Sequence, residues 1–242
     1  MSDCGLVKTT RFQSRKYIGD PINAVRIFNE KEVDELILLD IDATSEKREP
    51  QFDEIEQELS EAFMPVGYGG GIRSMSHVER LFRNGVEKVI VNSVLADRPE
   101  ILADASQAFG AQSIVASMDI KRDIFGRFHA YTNNGKRKLA GQPLDILRRW
   151  EQFGAGEIII NSIDRDGTGK GFELDFIAKA SAAVTVPVVA VGGAGTPADL
   201  AAALRAGSSA VGAGSMFVFH GMHRAVLISY VDRTLLESLE SK

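Results

Sequence analysis

A chain of 242 residues can bury one large hydrophobic core, and a single α/β barrel domain of roughly 250 residues would take up its whole length, so one domain over 1–242 is expected. With 44% hydrophobic and 25% charged residues it has the balance of an ordinary globular enzyme rather than a disordered chain. A formal charge of -5 without a basic stripe argues against a nucleic-acid partner, whose phosphates would need a net basic face.

Apolar, β-branched runs mark seven strands at 36–41, 65–68, 88–92, 113–119, 157–163, 188–191 and 210–213. Amphipathic stretches between and around them predict eight helices at about 20–32, 50–63, 74–84, 98–109, 143–153, 173–183, 196–206 and 221–240. Several open on Ser74, on Thr196 or on a proline in the first turn, as helix starts do. Alternating strands and helices give a parallel sheet wrapped by helices. Eight helices against seven strands leave one strand owing, ahead of the first helix.

An internal repeat sharpens this. Glu35 and Glu157, Gly70 and Gly192, and Asn92 and Gly214 all stand 122 residues apart, inside similar segments. One register across three strands predicts a (β/α)8 TIM barrel made of two half-barrels. It also places the end of the first strand before Met1, so that strand is expected to be largely missing, with only residues 5–10 following where it should be.

Glycines at a strand's C-terminal end let a phosphate approach backbone N–H groups, and a following helix start adds the positive end of its dipole. Gly70-Gly71, with Asn92-Ser93 beside them, make one candidate phosphate site. Gly192-Gly193, with Gly214-Ser215, make a second half a barrel away, where barrels of this plan recurrently hold phosphate. Asp40, Asp119, Asp164 and Asp166 fall at or just past strand ends, where active sites of such barrels gather, and Asp119 is the strongest candidate acid or base. Its structural alternative is a cap or a loop salt bridge to Lys121 or Arg122. Asp166-Gly167-Thr168 could offer a hydroxyl and amides to a phosphate, or be an ordinary Asp-Gly turn. Glu35, Lys88 and Glu157 lie at the opposite strand ends, and read either as solubilising charge or as a gate and docking surface. Cys4 is the lone cysteine, so no disulfide is expected, which suits a reducing cytoplasm. His220 and His223 lack an accompanying carboxylate motif, so no metal site is expected; no cofactor is expected either. No signal peptide or membrane-spanning run is evident.

Four segments together resemble the cyclase subunit of imidazole glycerol phosphate synthase. They are Val66-Gly67-Tyr68-Gly69-Gly70-Gly71-Ile72, Met118-Asp119-Ile120-Lys121-Arg122, Ser162-Ile163-Asp164-Arg165-Asp166-Gly167-Thr168 and Gly192-Gly193-Ala194-Gly195. A sibling isomerase shares the repeat and both phosphate sites, but the order of 162–168 resembles the cyclase. The resemblance implies a lyase of histidine biosynthesis that takes ammonia from a glutaminase docked on the bottom face of the barrel. Ammonia would pass through the interior to a bis-phosphorylated formimino ribonucleotide, giving imidazole glycerol phosphate and aminoimidazole carboxamide ribotide. Of the family's two catalytic aspartates Asp119 matches the second; the first falls before Met1, and Asp3 is not read as its counterpart. Glu35, Lys88 and Glu157 match three of the four charges ringing the family's ammonia entrance, the fourth being a first-strand arginine with no counterpart here. Residues 17–24, 28–35 and 216–230 are more similar to a paralogue from surface-polysaccharide (lipopolysaccharide) gene clusters. There the barrel and a glutaminase supply ammonia to a separate amidotransferase, without cyclase activity of their own.

Overall fold

The computed structural model describes Met1 and residues 5–232. Leu6–Thr10 (β1) and Gln13–Gly19 (β2) form an antiparallel hairpin, followed by helix Pro21–Glu30 (α1), whose first turn is capped by Asp20 accepting from the Asn23 amide at 2.9 Å. Strand and helix then alternate as Leu36–Leu39 (β3), Phe52–Leu59 (α2), Val66–Gly69 (β4), Met75–Arg83 (α3), Lys88–Val91 (β5) and Ile101–Phe109 (α4). The second half runs Ile114–Arg122 (β6), Phe128–Thr132 (β7), Arg137–Lys138 (β8), Pro143–Gln152 (α5), Glu157–Ser162 (β9), Leu174–Ala183 (α6), Val188–Val191 (β10), Pro197–Arg205 (α7) and Ala210–Gly212 (β11). Helix Ser215–Val218 (α8), a short hairpin of Phe219–His220 (β12) and Ala225–Val226 (β13), and two 3-10 turns at Ser93–Ala96 and Ala111–Ser113 complete the described elements.

Seven parallel strands lie in the order β3-β4-β5-β6-β9-β10-β11, each at a predicted position. The architecture is that of a (β/α)8 barrel built on a twofold repeat. The repeat is visible in the backbone itself. Ser74 and Thr196, the N-caps of α3 and α7, have φ/ψ of -145/160 and -141/159. Asn92 and Gly214, 122 residues apart, share an unusual -132/-76 and -116/-67. Among the described residues no strand pairs with β11 opposite β10, or with β3 opposite β4. Met1 lies along that free edge of β3, its amine donating to the Leu39 carbonyl and its own carbonyl accepting from the Ile41 amide at 3.2 Å.

Strand sequences rich in Val and Ile are buried on both faces, as a parallel sheet under helices requires. Outward residues pack against Val78 and Leu81 of α3, Ile101 and Leu102 of α4, Leu147 and Trp150 of α5 and Phe176 of α6. Inward residues follow the two-residue strand period and stack in layers. Glu35, Lys88 and Glu157 start the columns; Ile37, Ile90, Val115, Ile159 and Val189 form an apolar layer above them; Asn92, Asp119 and Asn161 stand above that.

Three departures from the predicted elements matter for the site. Residues 5–10 are not a parallel remnant of the first strand but one arm of the β1–β2 hairpin, which reaches across the mouth. Asp119 does not end its strand: β6 runs on to Arg122 because β7 pairs antiparallel with its upper part, Asp119 opposite Tyr131. The helix expected over 221–240 is not formed within 221–232, where Gly221 and Arg224 take positive φ and fold β12 back on β13; residues 233–242, with Asp3 and Cys4, lie outside the described residues. No helix among the described residues is long and apolar enough to cross a membrane.

Candidate active site

A cavity of about 420 Å³ opens at the C-terminal ends of the strands and runs down the interior past the apolar layer to Glu35. Asp119, Asn92, Ser93, Gly70, Gly71, Asp166, Gly167, Gly192, Gly193, Gly214 and Ser215 all line it. Ten of the eleven predicted phosphate ligands, together with the predicted acid, therefore converge on one space.

Asp119 is 6% exposed and faces Asn161 on the neighbouring strand. Burial pushes its carboxyl up to about 7; the Asn92 side-chain amide, 3.3 Å from Oδ2, pulls the other way, and the charge of Asp166 adds to the rise. The same Asn92 amide also donates to the Ser117 carbonyl at 3.0 Å, which fixes its direction. The alternative of a salt bridge to Arg122 is not what forms, since Arg122 turns to Glu173 at 2.8 Å. A buried carboxyl near neutral pH is equally ready to give or take a proton.

Each half-barrel contributes a pair of consecutive positive-φ glycines. Gly70 and Gly71 have φ of 132° and 69°, Gly192 and Gly193 of 82° and 129°. The fit is tight as well as left-handed: a Cβ on Gly70 would stand 2.5 Å from the Asp40 carbonyl, and one on Gly193 would overlap the Gly171 carbonyl. Beside the first pair, the Ser93 hydroxyl donates to Asn92 Oδ1 at 3.3 Å and accepts from the Asn133 amide at 3.2 Å, tying the β7–β8 turn to the site. Beside the second pair stands Lys8 of β1, which sequence reasoning missed. Its Nζ fills the space that a Cβ on Gly214 would need, and burial lowers its proton affinity against the opposing pull of Asp166. The one available signal is a lone lysine in the apolar and β-branched run 6–10.

Asp166 anchors the β1–β2 hairpin. Its Oδ2 accepts from the Thr9 hydroxyl at 2.6 Å and the Phe12 amide at 3.3 Å, and its carbonyl accepts from the Arg11 amide at 2.9 Å. Burial raises its carboxyl, with Thr9 and Phe12 opposing. On the other side of the mouth Arg15 makes a two-pronged ion pair with buried Asp42. Thr168 is not brought into the cavity; its hydroxyl donates to the Arg165 carbonyl at 2.7 Å and closes its own turn. Asp40 caps the Asp42 and Ala43 amides at 3.0 Å and pairs with Arg48, and Asp164 accepts from the Arg122 amide at 2.9 Å, so both shape loops.

At the bottom of the barrel Lys88 Nζ donates to Glu35 at 2.8 Å and to Glu157 at 2.9 Å. Burial draws the lysine down, but these two hydrogen bonds prevail and leave it raised, so it is firmly charged. The three residues close the lower end of the interior as one cluster.

Comparison with known proteins agrees over nearly the whole chain. The profile of a family described as histidine biosynthesis protein matches residues 2–223. A Pseudomonas aeruginosa protein that carries the name imidazole glycerol phosphate synthase subunit provisionally is 49% identical, over 98% of this chain and 95% of its own length. A Leptospira interrogans protein, also so named provisionally, is 44% identical over 97% and 93%. One of Alkaliphilus metalliredigens, so named without qualification, is 38% identical over 89% of this chain and 86% of itself.

Proposed function

Because the chain belongs to the histidine biosynthesis protein family, we propose that it is an ammonia-using, cyclase-type subunit of an imidazole glycerol phosphate synthase. Its substrate is a bis-phosphorylated formimino ribonucleotide, its products imidazole glycerol phosphate and aminoimidazole carboxamide ribotide. The observation that carries this reading is one buried aspartate, with a carboxyl near neutrality, between two tight glycine turns in a single cavity. Gly70, Gly71, Asn92 and Ser93 receive one phosphate; Gly192, Gly193, Gly214 and Ser215, with Gly167 and Lys8 Nζ, receive the other. Spanning the mouth by both phosphates holds the reacting centre over Asp119, which moves the proton.

A glutaminase docked below supplies ammonia past Glu35, Lys88 and Glu157. The layer of Ile37, Ile90, Val115, Ile159 and Val189 above them favours a neutral molecule over ammonium. A second reading, a barrel that delivers ammonia to another enzyme without closing a ring, draws support from the higher identity to provisionally named relatives, 49% and 44% against 38%.

One assay separates the two. The purified protein, given the ribonucleotide and an ammonium salt without any glutaminase, is expected to form both products. Absence of imidazole glycerol phosphate above background, with the circular dichroism of a folded α/β protein, would leave only the delivery reading.

A further inference from the structure

Glu173 lies at the N-cap of α6, outside the cavity, and is 5% exposed. Its two oxygens hold two arginines from different parts of the mouth. Oε1 accepts from Arg165 Nε at 3.0 Å; Oε2 accepts from Arg122 Nη2 at 2.8 Å and Nε at 3.2 Å. Arg122 is the last residue of β6, three beyond Asp119, and its amide grips Asp164. Arg165 precedes Asp166-Gly167, and its carbonyl accepts from the Thr168 amide and hydroxyl at 3.0 and 2.7 Å, which forms the turn carrying Gly167. The same side chain packs on the second glycine pair: a Cβ on Gly193 would meet Arg165 Cβ at 3.1 Å, and the Gly193 carbonyl accepts from the Gly171 amide at 2.9 Å.

We infer that Glu173 is a positioning residue for the second phosphate site, locking the backbone of Gly167 and Gly193 in place through Arg165 and Arg122. The inference rests on the two-phosphate reading above. A buried carboxylate that takes Nε and Nη2 of Arg122 on one oxygen and Nε of Arg165 on the other is a directional joint, because each charged hydrogen bond fixes an angle as well as a distance. Removing its charge leaves two arginines competing for a neutral amide, and the loop they pin is free to shift. Electrostatics alone predicts the opposite result. Taking a negative charge away from the neighbourhood of an anion site would tighten phosphate binding, so a loss on Glu173→Gln reports lost geometry.

The test is a titration of the purified protein with inorganic phosphate, followed by backbone amide resonances. In the wild type both Gly70-Gly71 and Gly192-Gly193 respond. Glu173→Gln is expected to weaken phosphate about tenfold at Gly192-Gly193 while leaving Gly70-Gly71 within about twofold. Arg165→Lys, which keeps the charge but loses the guanidinium that bridges Glu173 and the Lys170 carbonyl, gives the same one-sided loss. Asp175→Asn removes a carboxylate 3.6 Å from Arg122 on the exposed side of the same helix and leaves both sites within about twofold. Unchanged or tighter binding at Gly193 in Glu173→Gln, an equal loss at both glycine pairs, or a matching loss in Asp175→Asn would each overturn the inference. Silence of both glycine pairs in the wild type would instead remove the two-phosphate reading, and the inference with it.

Discussion

Asp119→Asn lowers ammonia-dependent turnover by roughly 10³-fold or more in kcat, and leaves ribonucleotide affinity within about threefold. The asparagine is the same size and keeps its contact with Asn92, so the proposed span of the ligand between the two glycine turns is unaffected. What is lost is the proton. A second consequence separates this from damage to the fold. Because burial raises the Asp119 carboxyl to about 7 from its ordinary value of 3.8, the folded chain binds a proton there that the unfolded chain releases earlier. The stabilisation that comes with that bound proton is complete below about pH 4 and is lost as pH rises through about 7. Asparagine, neutral throughout, escapes this loss. The variant is therefore expected to be more stable than the wild type at pH 8, by up to about 4 kcal/mol, with the difference shrinking toward pH 4. Denaturant unfolding at pH 4, 6 and 8 reads it directly. A variant that is inactive and equally destabilised at every pH would mean that Asp119 is a structural group, and the acid–base assignment would go.

Gly193→Ala combines two costs. The backbone there has φ of 129°, which a side chain resists, and the added methyl would overlap the Gly171 carbonyl. Relief requires moving Gly171 or Gly193 and giving up their 2.9 Å hydrogen bond. A loss of about 2–4 kcal/mol in stability is expected, with ligand affinity falling about 10- to 100-fold if, as proposed, the displaced backbone is itself the phosphate ligand. Gly85→Ala supplies the comparison. Gly85 has φ of 96°, but a methyl added there would meet nothing within 4 Å, so the backbone cost of about 1 kcal/mol stands alone and affinity is untouched. If Gly193→Ala behaves as Gly85→Ala does, the tight turn is not part of the binding surface.

The parts of the molecule legible in its sequence are those governed by strand and helix periodicity. Columns such as Lys88-Val89-Ile90-Val91-Asn92 and Glu157-Ile158-Ile159-Ile160-Asn161 carry charge, apolar and polar residues at every second position, and the barrel stacks them as layers without rearrangement. The 122-residue register is equally readable, because matching caps and turns need matching residues, and Ser74 and Thr196 duly take the same conformation. The elements that cross the mouth are not. The β1–β2 turn is made by Arg11 and Phe12, both with positive φ and neither a residue that advertises such a turn; tertiary bonds to Asp166 hold it. Local pattern therefore puts Lys8 in a strand remnant rather than beside Gly214. The β7–β8 turn does carry its signal, Asn133-Asn134-Gly135, but the pairing of β7 lengthens β6 past Asp119 in a way that no local pattern announces. Thr168 has the right composition for a phosphate loop and spends its hydroxyl inside the turn.

The central claim is that one chain holds one ligand by both of its phosphates, one at each glycine turn. Phosphorus NMR of the ribonucleotide titrated with the protein, in the absence of ammonia, addresses it most directly. At a stoichiometry of one ligand per chain, both phosphate resonances are expected to shift and broaden together, with a single affinity. A response from only one of the two phosphates, or two ligands bound per chain, would contradict the account.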